Sequence, residues 1–210
     1  MPTKWALTKI RQRISFKFFR DILFGQIENF ESKVRTYRGL KIYAVDGLQV
    51  HLPRTEDIIE AGYNGRAVSK YRESYTPRMY IVHAYNVLSG VTKNLVESPL
   101  LNEIAGALEM IKRYGKQSLT LYDRLYISRK LIRTHIAAEN FFMMRARRSS
   151  FKEVRDYFNS KRKNSKTIVI GGIKLRMYKI TNPKTGQTDV TSRYQKRHQL
   201  ISDMIFDSYL

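Results

Sequence analysis

Partway along this chain the hydrophobic period changes, and that change constrains the fold more than any other feature. Between Gly39 and Val96 the apolar residues fall in short strand-like runs: Ile42-Tyr43-Ala44-Val45, Leu48 to Leu52 stopped by Pro53, Met79 to Leu88, and Val91 to Val96 after Ser89-Gly90. Beyond Pro99 the patterns alternate. Leu101, Ile104, Leu108 and Ile111 recur three or four residues apart, one face of a helix that Pro99 opens and Gly115 closes. Leu119 to Tyr122 reads as a strand, Ile127 to Ala138 as a helix, and Phe141 to Met144 as a strand. Antiparallel strands followed by helix–strand–helix–strand predict an α/β fold, a mixed sheet with helices packed on it.

The flanks differ from this middle. Residues 1–40 read as a helical segment, with Phe16, Phe19, Leu23, Ile27 and Phe30 on one apolar face. Arg54 to Tyr75 is polar, with Gly62, Asn64 and Gly65, and reads as a loop. Residues 41–148 are the expected core. Two strand-like pieces, Thr167 to Ile170 and Ile173 to Ile180, surround Gly171-Gly172 and precede a turn at Asn182-Pro183-Lys184-Thr185-Gly186. Residues 149–189 are therefore expected to be a small β-rich basic insertion. Residues 190–210 form a tail without clear period until Leu200, Ile201, Met204 and Ile205.

Charge narrows the function. The chain carries 39 Lys and Arg against 18 Asp and Glu, a net +21 over 210 residues. Such an excess repels itself unless a polyanion binds it, so nucleic acid is the expected partner. The distribution is uneven: residues 1–45 hold 10 bases and 3 acids, 46–110 hold 6 and 8, and 111–210 hold 23 and 7. A near-neutral middle between basic arms fits a core holding a metal or reacting group, with phosphate-gripping flanks; it fits equally a middle that is merely the most buried part. The absence of cysteine rules out disulfides and thiolate metal sites. No apolar run approaches a membrane span.

Two aspartates stand at predicted strand ends, Asp46 and Asp123. If their strands are neighbours, the carboxylates converge at one sheet rim and can hold Mg²⁺, which favours one or two carboxylates plus phosphate oxygens. A purely structural reading stands beside this. Asp46-Gly47 is also a hairpin-turn dipeptide, and Asp123 precedes a helix, where Asp caps free N–H groups. His51, His83, His135 and His198 are scattered without metal-ligand spacing and read as packed or surface residues.

The order of elements is that of the ribonuclease-H-like architecture, and the residues around the two aspartates carry a closer likeness. Ala44-Val45-Asp46-Gly47-Leu48-Gln49-Val50-His51-Leu52-Pro53 resembles the first-aspartate block of DDE transposases of the insertion-sequence-four type. Leu119 to Ser128, with Asp123-Arg124-Leu125-Tyr126-Ile127-Ser128, resembles the second block, usually Asp-Arg-Gly-aromatic-x-Ser. Pro77 to Ser98 is similar to the family's strand pair, Phe141 to Arg145 to the strand ending in Arg, and Ala6 to Ile14 to the stretch leading into the catalytic domain. The likeness runs from about Trp5 to Ile180.

The resemblance implies a ribonuclease-H-like fold with a β insertion between the second and third acids. It implies Asp46 and Asp123 as catalytic metal ligands, two Mg²⁺ or Mn²⁺ ions, and DNA strand cleavage and transfer. Double-stranded DNA, both transposon ends and target, would be the partner, with a homodimer in the complete protein, no membrane, and a nucleoid-associated location in a prokaryotic cytoplasm. Arg145, Arg147, Arg148, Lys161, Arg162 and Lys163 are the expected phosphate grip; Arg124, Arg129, Lys130 and Arg133 would hold the strand near the metals. Leu125 departs from the family's Gly. The third acid, a Glu within a Tyr-x-x-Arg-x-x-x-Glu motif, has no counterpart after Ile180, where the acids are Asp189, Asp203 and Asp207. The expectation is a transposase fragment, cut at both ends and inactive alone. A non-enzymatic basic nucleic-acid binder, or a complete nuclease using Asp203 or Asp207, are the alternatives.

Overall fold

A computed structural model describes residues 3–31, 33–63, 76–98, 102–160, 165–181 and 188–194. Two helices open the chain, α1 (Lys4–Arg13) and α2 (Phe16–Glu31). Of the apolar face expected on α2, Ile27 is buried, while Phe19, Leu23 and Phe30 stay exposed. Among the strands, α2 touches β3 (Val91–Ser98) at the edge of the sheet, so a single end of its stripe is covered.

The main departure from expectation lies at Asp46-Gly47. No hairpin forms there: β1 runs unbroken over Lys41–His51. It pairs antiparallel with β2 (Arg78–Asn86) from Tyr43 to His51, and parallel with β4 (Ser118–Tyr122) from Lys41 to Val45. The β2 ladder, which pairs Asp46 with His83 and Gly47 with Val82, carries the strand straight through the Asp-Gly pair. Local turn propensity yields to it because a turn would forfeit the β2 hydrogen bonds beyond Asp46.

Past β1, α3 (Glu56–Glu60) forms within the stretch expected to be loop, whose residues 64–75 lie outside the described residues. The β2–β3 hairpin turns at Gly90, which adopts φ +67° as a tight reversal requires. Asn102, not Pro99, caps α4 (Glu103–Ile111): its side chain accepts from the Ala105 N–H at 2.9 Å. Pro99 lies outside the described residues. Ser128 caps α5 (Arg129–Ala137), accepting from the Leu131 N–H at 3.1 Å. The capping role considered for Asp123 is thus taken by Ser128.

Beyond β5 (Phe141–Ala146), the stretch expected to be β-rich begins with a helix, α6 (Lys152–Asn159). Then come β6 (Lys166–Ile170), β7 (Ile173–Thr181) and β8 (Thr188–Tyr194), the last in a stretch expected to be largely without structure. The expected turn at residues 182–186 and the helix expected from Leu200 lie outside the described residues. All eight described strands join one sheet in the order β3-β2-β1-β4-β5-β8-β7-β6. The first five are the mixed, ribonuclease-H-like set, with β1, β4 and β5 parallel and β2 and β3 antiparallel. β8 pairs antiparallel with β5 and β7, so the insertion extends the same sheet.

Alternation fixes what each face carries. Tyr43 and Val45 of β1, Val82 and Ala84 of β2, Tyr122 of β4 and Phe142 and Met144 of β5 share one core with Met110 and Ile111 of α4 and Leu131 and Ile132 of α5. Val154 and Tyr157 of α6 join it against Ile168, Ile170, Leu175 and Met177. Each fully buried Leu, Ile or Met side chain stabilises the fold by about 1.5–3 kcal/mol. On the opposite face Ile42 and Leu119 gather Tyr37, Leu88, Leu121, Phe141 and Met143 in a smaller cluster.

Candidate functional site

The register of the central strands brings the two aspartates together. Val45 and Tyr122 are the last matched pair of the parallel β1–β4 ladder. Asp46 and Asp123 are the next residue on each chain, on backbones about 4.8 Å apart. Tyr122 is also the last partner of Met144 in the β4–β5 ladder, so Arg145 follows beside Asp123. On the other flank His83 of β2 is the register partner of Asp46. One transverse row therefore reads His83, Asp46, Asp123, Arg145. Alternation puts Asp46 on the face turned away from α4 and α5, since Tyr43 and Val45 occupy the helix side.

The side chains bear this out. Asp46 is exposed, and its Oδ1 accepts from the N–H of Gly47 at 2.9 Å. Arg145 Nη1 donates to Asp123 Oδ1 at 3.2 Å, with both side chains close to half exposed. The ring of His83 lies 6.0 Å from that of Tyr85, and its Nδ1 is buried with no hydrogen-bond partner.

A third carboxylate approaches from the helix side. Glu103, first residue of α4, lies over Gly47: a Cβ there would meet Glu103 Oε1 at 2.7 Å. Gly47 does not need its conformational freedom; it is glycine because the Glu103 side chain occupies the space above it. The Tyr126 hydroxyl is buried beside Glu103. Burial first, then the negative charge of Glu103, Asp46 and Asp123, pushes its ionisation far above the usual phenol range. That phenol stays neutral and offers a proton toward the acidic rim.

Whether a divalent cation fits can be judged from these donors. Two adjacent carboxylates at a partly exposed rim are hard oxygen ligands of the type Mg²⁺ takes, in the number Mg²⁺ takes when water and phosphate complete its shell. Among the described residues no group of three metal-ligating side chains closes around one point. Asp46 and Asp123 would supply two ligands to such an ion, and water or phosphate oxygens would have to supply the rest. Asp203 and Asp207, considered as third ligands, lie outside the described residues, as do Lys161, Arg162 and Lys163.

The remaining expected contacts are spread over two faces. Arg124 is exposed next to Asp123. Arg129 and Arg133 of α5 reach the β6–β7 turn, where a Cβ on Gly171 would lie 3.7 Å from Arg129 Cδ and 3.6 Å from Arg133 Nη2. The Arg129 guanidinium also lies 5.6 Å from the centre of the Phe151 ring. Lys130, Arg147 and Arg148 are exposed, with Arg148 5.9 Å from Phe158. Among the described residues of the expected set, Arg145 is the one in an ion pair with an aspartate.

His135 is the packed residue the sequence suggested. It is fully buried, its Nε2 is 2.8 Å from the Tyr122 hydroxyl, and burial pushes its pKa down to about 3. Two residues near the rim escaped the sequence reading. His83 becomes a neighbour of Asp46 only once the β1–β2 register is known. Glu103 looks like an ordinary first-turn acid until α4 docks on Gly47.

No protein-family profile matches the chain. Over 134 residues it is 29% identical to an Escherichia coli (strain K12) protein named "Putative transposase InsZ", an alignment covering 61% of this chain and 44% of that protein. Its fold is similar to that of the piggyBac transposase in a cryo-EM synaptic complex with hairpin DNA, with a TM-score of 0.50 at 14% sequence identity. That likeness covers 100% of this chain and 45% of the piggyBac chain. The α/β architecture, a mixed ribonuclease-H-like sheet flanked by helices, is thus one that a transposase also uses, and this chain spans less than half the length of either relative.

Proposed function

We propose that this chain is part of a DNA transposase of the insertion-sequence-four type, in which Asp46 and Asp123 hold divalent cations at the sheet rim. The observation that carries this reading is the register: the parallel β1–β4 ladder ends one residue short of two aspartates on neighbouring backbones. The likeness to the E. coli protein and the shared fold support the same assignment. Mg²⁺ or Mn²⁺, when bound there, would supply Lewis-acid polarisation of phosphodiester oxygens. Asp46 and Asp123 would be the carboxylate ligands, with Arg145 orienting Asp123 through their 3.2 Å contact. The buried Tyr126 hydroxyl stays protonated beside the acidic rim. Double-stranded DNA is the partner, drawn by the net +21, with Arg124, Arg129, Lys130, Arg133, Arg147, Arg148 and residues 161–163 as phosphate contacts. A homodimer pairing two DNA ends, in a prokaryotic nucleoid, completes the reading.

Calorimetric titration with MnCl₂ tests the site. Wild-type protein is expected to bind, while Asp46→Asn and Asp123→Asn each lose binding and remain folded by circular dichroism. Unchanged Mn²⁺ binding in both variants would overturn the assignment. Retained DNA affinity with no Mn²⁺ binding even in the wild type would leave a non-enzymatic basic DNA binder.

A further inference from the structure

The face of the sheet that carries Asp46 continues beyond β5, and there it is basic and open. The four strands β5, β6, β7 and β8 hold Arg145, Lys166, Lys174, Arg176, Lys179 and Arg193 against one acid, Asp189. Alternation sorts these cations. Leu175 and Met177 of β7, with Ile168 and Ile170 of β6, are buried against α6. Lys179 lies on that helix side, donating to the Ser160 carbonyl at 2.6 Å and 5.1 Å from the Tyr157 ring. Lys174, Arg176 and Tyr178 occupy the other face, with Thr167 and Val169 of β6 beside them. Lys174 and Arg176 are exposed, and Val169 keeps 50% of its surface.

This face is in line with the acidic rim. Arg145 pairs with Thr191 of β8, and Thr191 pairs with Tyr178 of β7. The row begun by His83, Asp46, Asp123 and Arg145 therefore runs on to Tyr178, three strand spacings or about 14 Å beyond Asp123. Arg176 is held in place, its Nε and Nη2 donating to Ser165 Oγ at 3.0 and 2.6 Å and its guanidinium 6.0 Å from the Tyr178 ring. A fixed guanidinium loses less freedom on binding phosphate than a loose one.

We propose that DNA lies across this open face of β5, β8, β7 and β6, with Lys174 and Arg176 on its phosphates and Tyr178 against its sugars, leading the strand to Asp123. The proposal rests on the DNA-binding reading above and adds a surface to it. Charge complementarity selects the occupant: Arg145, Lys174, Arg176 and a polar-edged aromatic ring share this face, and its four strands bring a single acid, Asp189 of β8, an excess of positive charge that fits a polyanion. None of Lys174, Arg176 or Tyr178 was singled out by the sequence, because strand alternation there is visible only once α6 marks the covered side.

The test is fluorescence anisotropy with a labelled 30-base-pair duplex at several NaCl concentrations. Lys174→Glu/Arg176→Glu is expected to weaken binding tenfold or more at 0.1 M salt, and the neutral Lys174→Gln/Arg176→Gln to lower the log–log salt slope by about 2. A control pair on the outer side of α6, Lys152→Glu/Arg155→Glu, is expected to change binding less than threefold. Both sheet-face pairs binding within threefold of wild type, or the α6 pair weakening binding as much, would overturn the surface while leaving the DNA reading standing. Wild-type protein that binds no duplex at 50 mM salt would overturn both. If the charge reversal unfolds the protein, the glutamine pair decides alone.

Discussion

Acid sensitivity centred on one residue is the sharpest consequence of the core. His135 is fully buried between Tyr122 and Phe142, and its pKa is pushed down to about 3 by burial. In the unfolded chain the same imidazole takes a proton near pH 6.5. Between those values the unfolded state binds one proton that the folded state refuses, so stability falls as pH falls. The loss begins near pH 6.5, proceeds at about 1.4 kcal/mol per pH unit, and reaches roughly 5 kcal/mol near pH 3. That is a large share of the 5–15 kcal/mol typical of a domain. Urea unfolding followed by circular dichroism at pH 8, 7, 6, 5 and 4 measures it. The comparison is Tyr122→Phe/His135→Leu, which removes both partners of the 2.8 Å contact and strands neither. Carboxylate titrations common to both proteins cancel in the difference. Wild type is expected to lose about 2 kcal/mol more than the double variant between pH 6.5 and 5. Parallel pH profiles would refute the claim that His135 is held neutral.

Four further outcomes follow from close contacts. Gly106→Ala drives a methyl to 2.8 Å from Val82 Cγ2, inside a core where Val82 has little room to turn, and is expected to cost about 2–3 kcal/mol in urea unfolding. Gly47→Ala meets the flexible end of Glu103 instead, so its cost is expected to be smaller, about 1 kcal/mol, with Mn²⁺ affinity the better readout. Ser128→Ala removes the α5 cap and is expected to cost about 1 kcal/mol, whereas Asp123→Ala leaves helix α5 capped. Arg145→Gln leaves Asp123 without its cation, so added Mg²⁺ is expected to raise its melting temperature more than that of the wild type.

Much of the architecture could be read from hydrophobic period. The strands around Tyr43, Val82, Leu119 and Phe142 and the helices around Met110 and Ile132 appear within a few residues of expectation, because each is anchored by residues that must be buried. Errors arise where local chemistry and tertiary pairing disagree. Asp46-Gly47 has turn chemistry, yet pairing with His83 and Val82 of β2 keeps it extended. The stripe on α2 has helical period, yet among the described residues it finds little to cover it. β8 has an unremarkable composition and becomes a strand because β5 and β7 each offer it an edge. At the candidate site Asp123 was legible as a strand-end residue, whereas Asp46, expected at a strand end, lies inside β1, and their adjacency is a matter of register, which no single strand contains. The same holds for His83 and Glu103, whose positions depend on partners 37 and 56 residues away in sequence.

The late position of β8 sets an order on how the molecule can be made. β5 is complete at Ala146, but the strand that closes its free side does not begin until Thr188. Throughout the synthesis of the intervening residues, β5 presents unpaired amides and carbonyls beside Asp123, a template for stray pairing with other chains. The β6–β7 hairpin can form by itself meanwhile, yet it joins the sheet only when β8 emerges from the ribosome and bridges the gap. Loss of β8 would therefore strip the acidic rim of one wall and leave a sticky nascent chain, so a release of translation before residue 188 is expected to yield aggregates, not a smaller working domain.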